Sequence, residues 1–273
     1  MKNKYGMQKV VTIIIVLIIS TDIYSQVFGI SASKLSVINA KTAVRNQIEF
    51  EPGFGYYWAN KYYDNNGKLV PLSASSDSTE IFKELVFRFT YGITDKFEAG
   101  MMVASDLSSI SAGAKYTLFT INSFSGGILA GGTFSNESDI VAINTGIYGK
   151  TYSLATGLAF SNEFSEKISL DVDAQYQWLR DDKVSYSRDF FANAELSYIF
   201  KNKNQLIGGF SYVNNNHTHK YDGHQNYLLT FNVGTTIETG KSFILVFLFP
   251  ITLMGKNYDR LTGFSFALTL FFN

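Results

Sequence analysis

Large apolar residues recur at every second position through much of the chain, and the positions between them are small or polar. In "ISLDVDAQYQW", Ile168, Leu170, Val172, Ala174, Tyr176 and Trp178 alternate with Ser169, Asp171, Asp173, Gln175 and Gln177. Successive side chains of a strand point to opposite faces, so this two-residue period predicts a strand with one apolar and one polar face and excludes a helix here. "YLLTFNVGTTIE" sets Tyr227, Leu229, Phe231, Val233 and Ile237 against Thr230, Asn232, Gly234, Thr236 and Glu238. The chain ends in the same way, with Phe264, Phe266, Leu268, Leu270 and Phe272 opposite Gly263, Ser265, Ala267 and Thr269.

The pattern predicts twelve strands, near 46–57, 81–92, 97–105, 108–118, 124–134, 152–163, 168–180, 189–200, 205–214, 226–238, 242–254 and 262–272. Connections at "GITDK", "TIN", "SEK", "KNKN" and "TGK" are tight, whereas 58–80, 135–151, 181–188 and 215–225 are long and polar. An even strand count, short turns at one end, long loops at the other and both termini on the short-turn side predict an all-β fold, a closed antiparallel transmembrane β-barrel with periplasmic termini. Closure is required because hydrocarbon offers no partner to an unpaired backbone amide. Tyr176 with Trp178, Tyr56 with Trp58, and Tyr91 with Phe97 fall where interfacial aromatic girdles would lie. A soluble two-sheet sandwich also alternates, but it accounts less well for the loop asymmetry. A count of ten or fourteen strands stays open, since 139–150 is a further candidate for pairing.

The ends of the chain set its compartment. Lys2, Lys4 and Lys9 precede an apolar run from Val10 to Ile19, then polar residues and Ser25. That layout predicts a signal peptide over 1–25, its apolar core being short for a membrane-spanning helix; an uncleaved anchor is the alternative. Residues 26–45 then form an N-terminal periplasmic or lumen-plugging segment, and 46–273 the outer-membrane barrel. With zero Cys there is neither a disulfide framework nor a lipidated cysteine. The 23 basic residues balance 23 acidic ones, giving no reason to invoke nucleic acid. Aromatic-rich, Gly-rich and Pro-poor composition suits an antiparallel all-β chain. The terminal strand, with Phe272 before the final Asn273, is similar to the recognition signal of barrel-assembly machinery, although the usual final aromatic is displaced by one position.

In "FRFTYGITDKFEAGMMVASDLSSISAGAKYTLF", Tyr91, Gly92, Thr94 and Asp95 form one element, and Gly113, Ala114, Lys115 and Tyr116 another. This hairpin and a half resembles the outer-membrane barrel family associated with phenol degradation by the meta pathway, itself distantly similar to hydrophobic-compound channels. The resemblance implies a transporter fold and brings no catalytic residue. Gly and Asp in the turn also have a plain structural reading, as relief of a tight hairpin.

If the apolar set faces lipid, the opposite set lines the lumen. The candidate lumen-lining residues are Glu49, Glu51, Arg88, Glu98, Lys115, Asp171, Asp173 and Glu195, joined by Gln47, Glu84, Thr90, Asn193, Asn232 and Glu238. Counting across the "GITDK" turn places Glu98 between Arg88 and Lys115. Such a cluster is either an internal salt-bridge ladder or a charged constriction that selects solutes. The strand at 242–254 differs, because Ile244, Val246, Leu248 and Pro250 make its inward face apolar as well. Small neighbours (Gly209, Ser211, Gly234, Gly263, Ser265 and Ala267) leave a groove beside it. Either an apolar solute uses that groove or the chain's own segment fills it, since Val27, Phe28, Ile30, Leu35, Val37 and Ile38 precede the first strand without a lipid-facing role.

His217, His219 and His224, with Asp222, cluster in one polar loop without diagnostic ligand spacing, so no metal or other cofactor is assigned. A hydrolytic centre needs a Ser and a His side by side on the wall, and no predicted strand carries a His; the histidines could at best reach a rim serine, so no hydrolytic centre is expected. The sequence therefore predicts a non-enzymatic outer-membrane channel for passive uptake of small apolar or aromatic molecules. Its partners would be outer-membrane lipid, barrel-assembly machinery and a small-molecule solute. The alternative is a structural or adhesive surface barrel with a closed, salt-bridged lumen.

Overall fold

A computed structural model describes residues 27, 29–31, 35–72, 79–135, 150–181, 186–201, 203–218, 225–239 and 243–272. The predicted signal peptide, segment 139–149, His219, Asp222 and His224 lie outside the described residues. The barrel is built from β1 (Ile48–Ala59), β4 (Glu80–Thr94), β5 (Phe97–Ala104), β6 (Ser109–Ile121), β7 (Phe124–Ser135) and β8 (Thr151–Ser165). It continues through β9 (Ile168–Asp181), β10 (Tyr186–Ile199), β11 (Gln205–Thr218), β12 (Gln225–Thr239), β13 (Phe243–Lys256) and β15 (Thr262–Phe272). Each strand pairs antiparallel with its neighbours, and β1 closes the circle between β15 and β4. All twelve strands predicted from the period-two pattern are present in the barrel.

Three short strands lie outside it. β2 (Lys61–Tyr63), β3 (Leu69–Pro71) and β14 (Tyr258–Asp259) form a small sheet in the order β14-β2-β3, at the end of the barrel reached by β1 and β13. Tyr63 and Tyr258 pack there with Phe191, Val213, Leu228 and Leu69. The long polar loop expected at 58–80 is thus partly folded against the barrel mouth.

At the opposite end the turns are short. Asn122 takes a left-handed φ of 55° in the two-residue connection of β6 to β7, a conformation that Asn tolerates better than most residues. Register shifts between Gly92 and Thr94, Thr117 and Phe119, and Glu163 and Ser165 place bulges close to this end.

The two faces are inverted relative to a soluble barrel. Leu154, Leu196, Leu206, Phe249, Leu253 and Phe266 are exposed outside, whereas Glu98, Asp173, Glu195, Ser211, Thr230 and Asn232 are fully buried inside. A closed sheet satisfies its backbone internally, so an apolar exterior around a polar interior is stable in a bilayer and costly in water. The chain is a membrane-spanning β-barrel of the outer-membrane type.

Candidate functional site

The polar lumen is occupied. The described residues between Val27 and Ala43 run inside the barrel, with Val27, Ile30, Val37, Ile38, Ala40 and Ala43 all buried. Val27, Ile30, Ile38 and Ala40 make an apolar cluster with Leu129, Ala155 and Ala159 of the wall. The described residues of the segment up to Val44 form no strand or helix, so their backbone amides need other acceptors. The lumen carboxylates supply them. Asp173 accepts from Ile38 N at 2.8 Å, and Glu195 accepts from Ser36 N at 2.7 Å and Leu35 N at 3.2 Å. Glu98 accepts from Ser31 N at 2.8 Å and also from Ala43 N, drawing together two points of the segment twelve residues apart in sequence. Gln175 takes Val27 N at 2.9 Å and Ser161 takes Ala40 N at 2.9 Å.

Donors on the wall hold the segment's carbonyls in turn. Arg88 Nη1 reaches Ile30 O at 3.0 Å, Thr90 reaches Gly29 O at 3.1 Å, and Thr117 reaches Ala40 O at 2.7 Å. Lys115 Nζ donates to Ser31 O at 3.2 Å, Ser31 Oγ at 2.8 Å and Asn39 Oδ1 at 3.2 Å. Close approach needs glycine at two wall positions. A methyl group on Gly100 would collide with the Gly29 carbonyl, and one on Gly92 with the Val44 carbonyl. Gly92 also exchanges backbone hydrogen bonds with Asn46 (2.7 Å) and Gln47 (3.0 Å). Both elements of the family resemblance, Tyr91–Asp95 and Gly113–Tyr116, therefore lie where the segment docks, through Gly92 and Lys115.

The candidate residues are distributed as follows. Glu98 and Lys115 face each other across β5 and β6 at 3.3 Å, both fully buried. Arg88 does not share Glu98. Glu98 lies opposite Gly92, four residues from Arg88 along β4, while Arg88 lies opposite Glu51 on β1 and pairs with it at 2.7 Å. The expected triplet is therefore two separate pairs, because the tight turn at 95–96 sets Arg88 opposite Met102, four residues along β4 from the partner of Glu98. Asp171 accepts from Ser161 Oγ at 2.6 Å, and Asp173 also binds Gln175 at 2.8 Å and Asn193 at 3.1 Å. Glu238 lies near the periplasmic rim with Lys203 at 3.1 Å. His217 is the last residue but one of β11, with its side chain outside the described residues, and among those residues no group of His, Cys, Asp and Glu could hold a metal.

Ile244, Val246 and Leu248 face inward, the first two half-buried and Leu248 buried, and the segment does not fill the space in front of them. Between them and it lies a cavity of about 410 Å³, bounded also by Leu35, Glu49, Glu51, Tyr57, Glu84 and Arg88. Pro250 is buried one step further along β13 and does not line this space. The segment thus follows the charged wall of β4 to β12 and leaves the apolar wall of β13 open to the cavity. Sequence reasoning grouped the segment with that apolar wall. The signal that separates them is the excess of inward carboxylates over Arg88 and Lys115, because unpaired acids need N–H donors from elsewhere.

No model of a protein family matches the chain, and no curated protein matches it. Solved structures do. The COG4313 outer membrane channel from Pseudomonas putida F1 superposes with a TM-score of 0.64 at 14% identity, over 85% of this chain and 98% of that one. The NanC porin superposes with a TM-score of 0.52 at 10% identity, over 82% and 99% of the two chains. At these identities the likeness is one of fold, that of bacterial outer-membrane barrels.

Proposed function

We propose that the protein is a passive outer-membrane channel for small, partly apolar molecules, with residues 27–45 narrowing its lumen. The observation that carries this reading is the cavity of about 410 Å³ left between the segment and the Ile244–Val246–Leu248 wall. A purely structural barrel has no need of an inward apolar strand beside small residues, whereas a solute path does. The fold shared with a channel and a porin supports the reading, as does the resemblance of Tyr91–Asp95 and Gly113–Tyr116 to the phenol-degradation barrel family. In this reading the charged residues hold the segment in place, so the lumen pairs brace the occluded state and do not form an open selectivity ring. The β15 strand ending at Phe272 would present the signal to barrel-assembly machinery.

The test is planar-bilayer recording of the refolded protein. Steady conductance steps are expected. A folded, inserted barrel that gives none would favour the structural or adhesive reading.

A further inference from the structure

The cavity has a shape and a charge distribution that narrow what it can hold. On its β1 and β15 side the inward residues are small, Gly53 opposite Ala267 and Gly55 opposite Ser265. Val246 and Leu248 of β13 lie opposite Ala267 and Ser265, and Val86 and Glu84 of β4 lie opposite Gly53 and Gly55. The middle of the hollow is therefore aliphatic. Its β4 side ends in polar groups, Arg88 with Glu51 towards the periplasmic end and Glu84 towards the other, four residues apart and so roughly 13 Å along the strand.

These two poles differ. Arg88 is neutralised by Glu51 at 2.7 Å, and Lys41, the other cationic residue lining the cavity, is paired with Glu163. Glu84 has no hydrogen-bond or ion-pair partner among the described residues, although it lies within the barrel wall and lines the cavity. Beside it the Tyr57 ring covers Gly55 and Gly263. A carboxylate held in such a place without a countercharge is costly, and a solute that brings the countercharge gains what an anion or a neutral molecule cannot.

We propose that this cavity is a binding site for small amphipathic amines, with the ammonium at Glu84 and the apolar body across Gly53, Ala267, Val246 and Leu248. The assignment rests on the channel reading and deepens it, because it names the class of solute. An aromatic ring beside a carboxylate suits an organic cation, since both attract positive charge. The volume is within the range of small-ligand sites. An anionic solute would meet Glu49, Glu51 and Glu84, and although Arg88 Nε has no hydrogen-bond partner, the charge of Arg88 is already matched by Glu51.

The experiment compares three probes of similar size, 2-phenylethylammonium, 2-phenylethanol and phenylacetate, as blockers of the small-ion current through the full-length protein in planar bilayers. The ammonium should reduce the current at concentrations about tenfold below those needed for the alcohol, the equivalent of one modest ion pair. Phenylacetate should be weaker still. Glu84→Gln keeps the shape and should bring the ammonium to the level of the alcohol. Equal block by all three probes in the unmodified protein, with steady steps present, would overturn the amine site and leave the channel standing. An ammonium preference that persists in Glu84→Gln would overturn the assignment to Glu84. The comparison on unmodified protein holds even if the variant folds poorly. Absence of steps in an inserted barrel would remove the channel reading and this inference with it.

Discussion

Glu98→Gln strikes the point where wall and segment are most tightly joined. Glu98 accepts from Ser31 N and Ser31 Oγ, both at 2.8 Å, and from Ala43 N, and it faces Lys115 at 3.3 Å. Glutamine fills the same space, but one of its two terminal atoms becomes a donor aimed at other donors. Lys115 loses its countercharge while fully buried and keeps only the neutral acceptors Ser31 and Asn39. Breaking one side of a buried ion pair costs about 3–5 kcal/mol. The docked segment can relieve much of that cost by leaving, which hydrates Lys115, so the released population should rise about 10²–10³-fold. Limited trypsin digestion at Lys41 in detergent micelles reads this directly, with heat-modifiable gel mobility as the check that the barrel itself is folded. Lys115→Met in the Glu98→Gln background removes the stranded charge and should restore part of the protection. If Glu98→Gln leaves a folded barrel whose segment is as resistant as before, the carboxylate-to-amide anchoring is not what holds the segment.

Further consequences follow from the same geometry. Leu268→Arg and Leu170→Arg place a charge on the lipid face and should destabilise the barrel by roughly 2–4 kcal/mol in a lipid-based unfolding titration, whereas Thr269→Arg and Ser169→Arg should cost much less; equal costs would contradict the assignment of faces. Gly92→Ala should push the segment off the wall by collision with the Val44 carbonyl, seen as faster hydrogen exchange at Ala43 without loss of barrel fold; unchanged protection would contradict the packing. Asp259 in the mouth sheet is pushed up to about 6 from its usual 3.8 by burial and by the charge of Glu80. A raised carboxylate pKa stabilises the folded sheet at low pH, and that contribution is lost as pH rises through about 6. Amide protection at Tyr63 and Tyr258 should therefore be greater at pH 4 than at pH 7, and Asp259→Asn should flatten the difference.

The strands were legible because alternation is a strong signal when one face meets lipid and the other a polar interior. β9 and β15 begin and end within a residue of their predicted limits. β11 runs on to Thr218, four residues past its prediction, because "NNNHT" carries no apolar set to mark a face. β2, β3 and β14 escaped notice because strands of two or three residues are too short to display a period. The expected contact of Arg88 with Glu98 fails because the tight turn pairs Glu98 with Gly92 and Arg88 with Met102, so the two share a face but stand four residues apart along the strand. The hardest feature was the partner of each carboxylate. Glu98, Asp173 and Glu195 look the same in sequence whether they meet a cation or a backbone amide, and only the scarcity of inward cations favours the second.

The central claim is that a segment of the chain fills most of a channel. It is tested most directly by single-channel conductance of the protein lacking residues 26–43, compared with the full-length protein under the same salt and voltage. Removal of the segment should leave a folded barrel whose steps are several-fold larger. Steps of unchanged size from a normally folded deletion variant would contradict it.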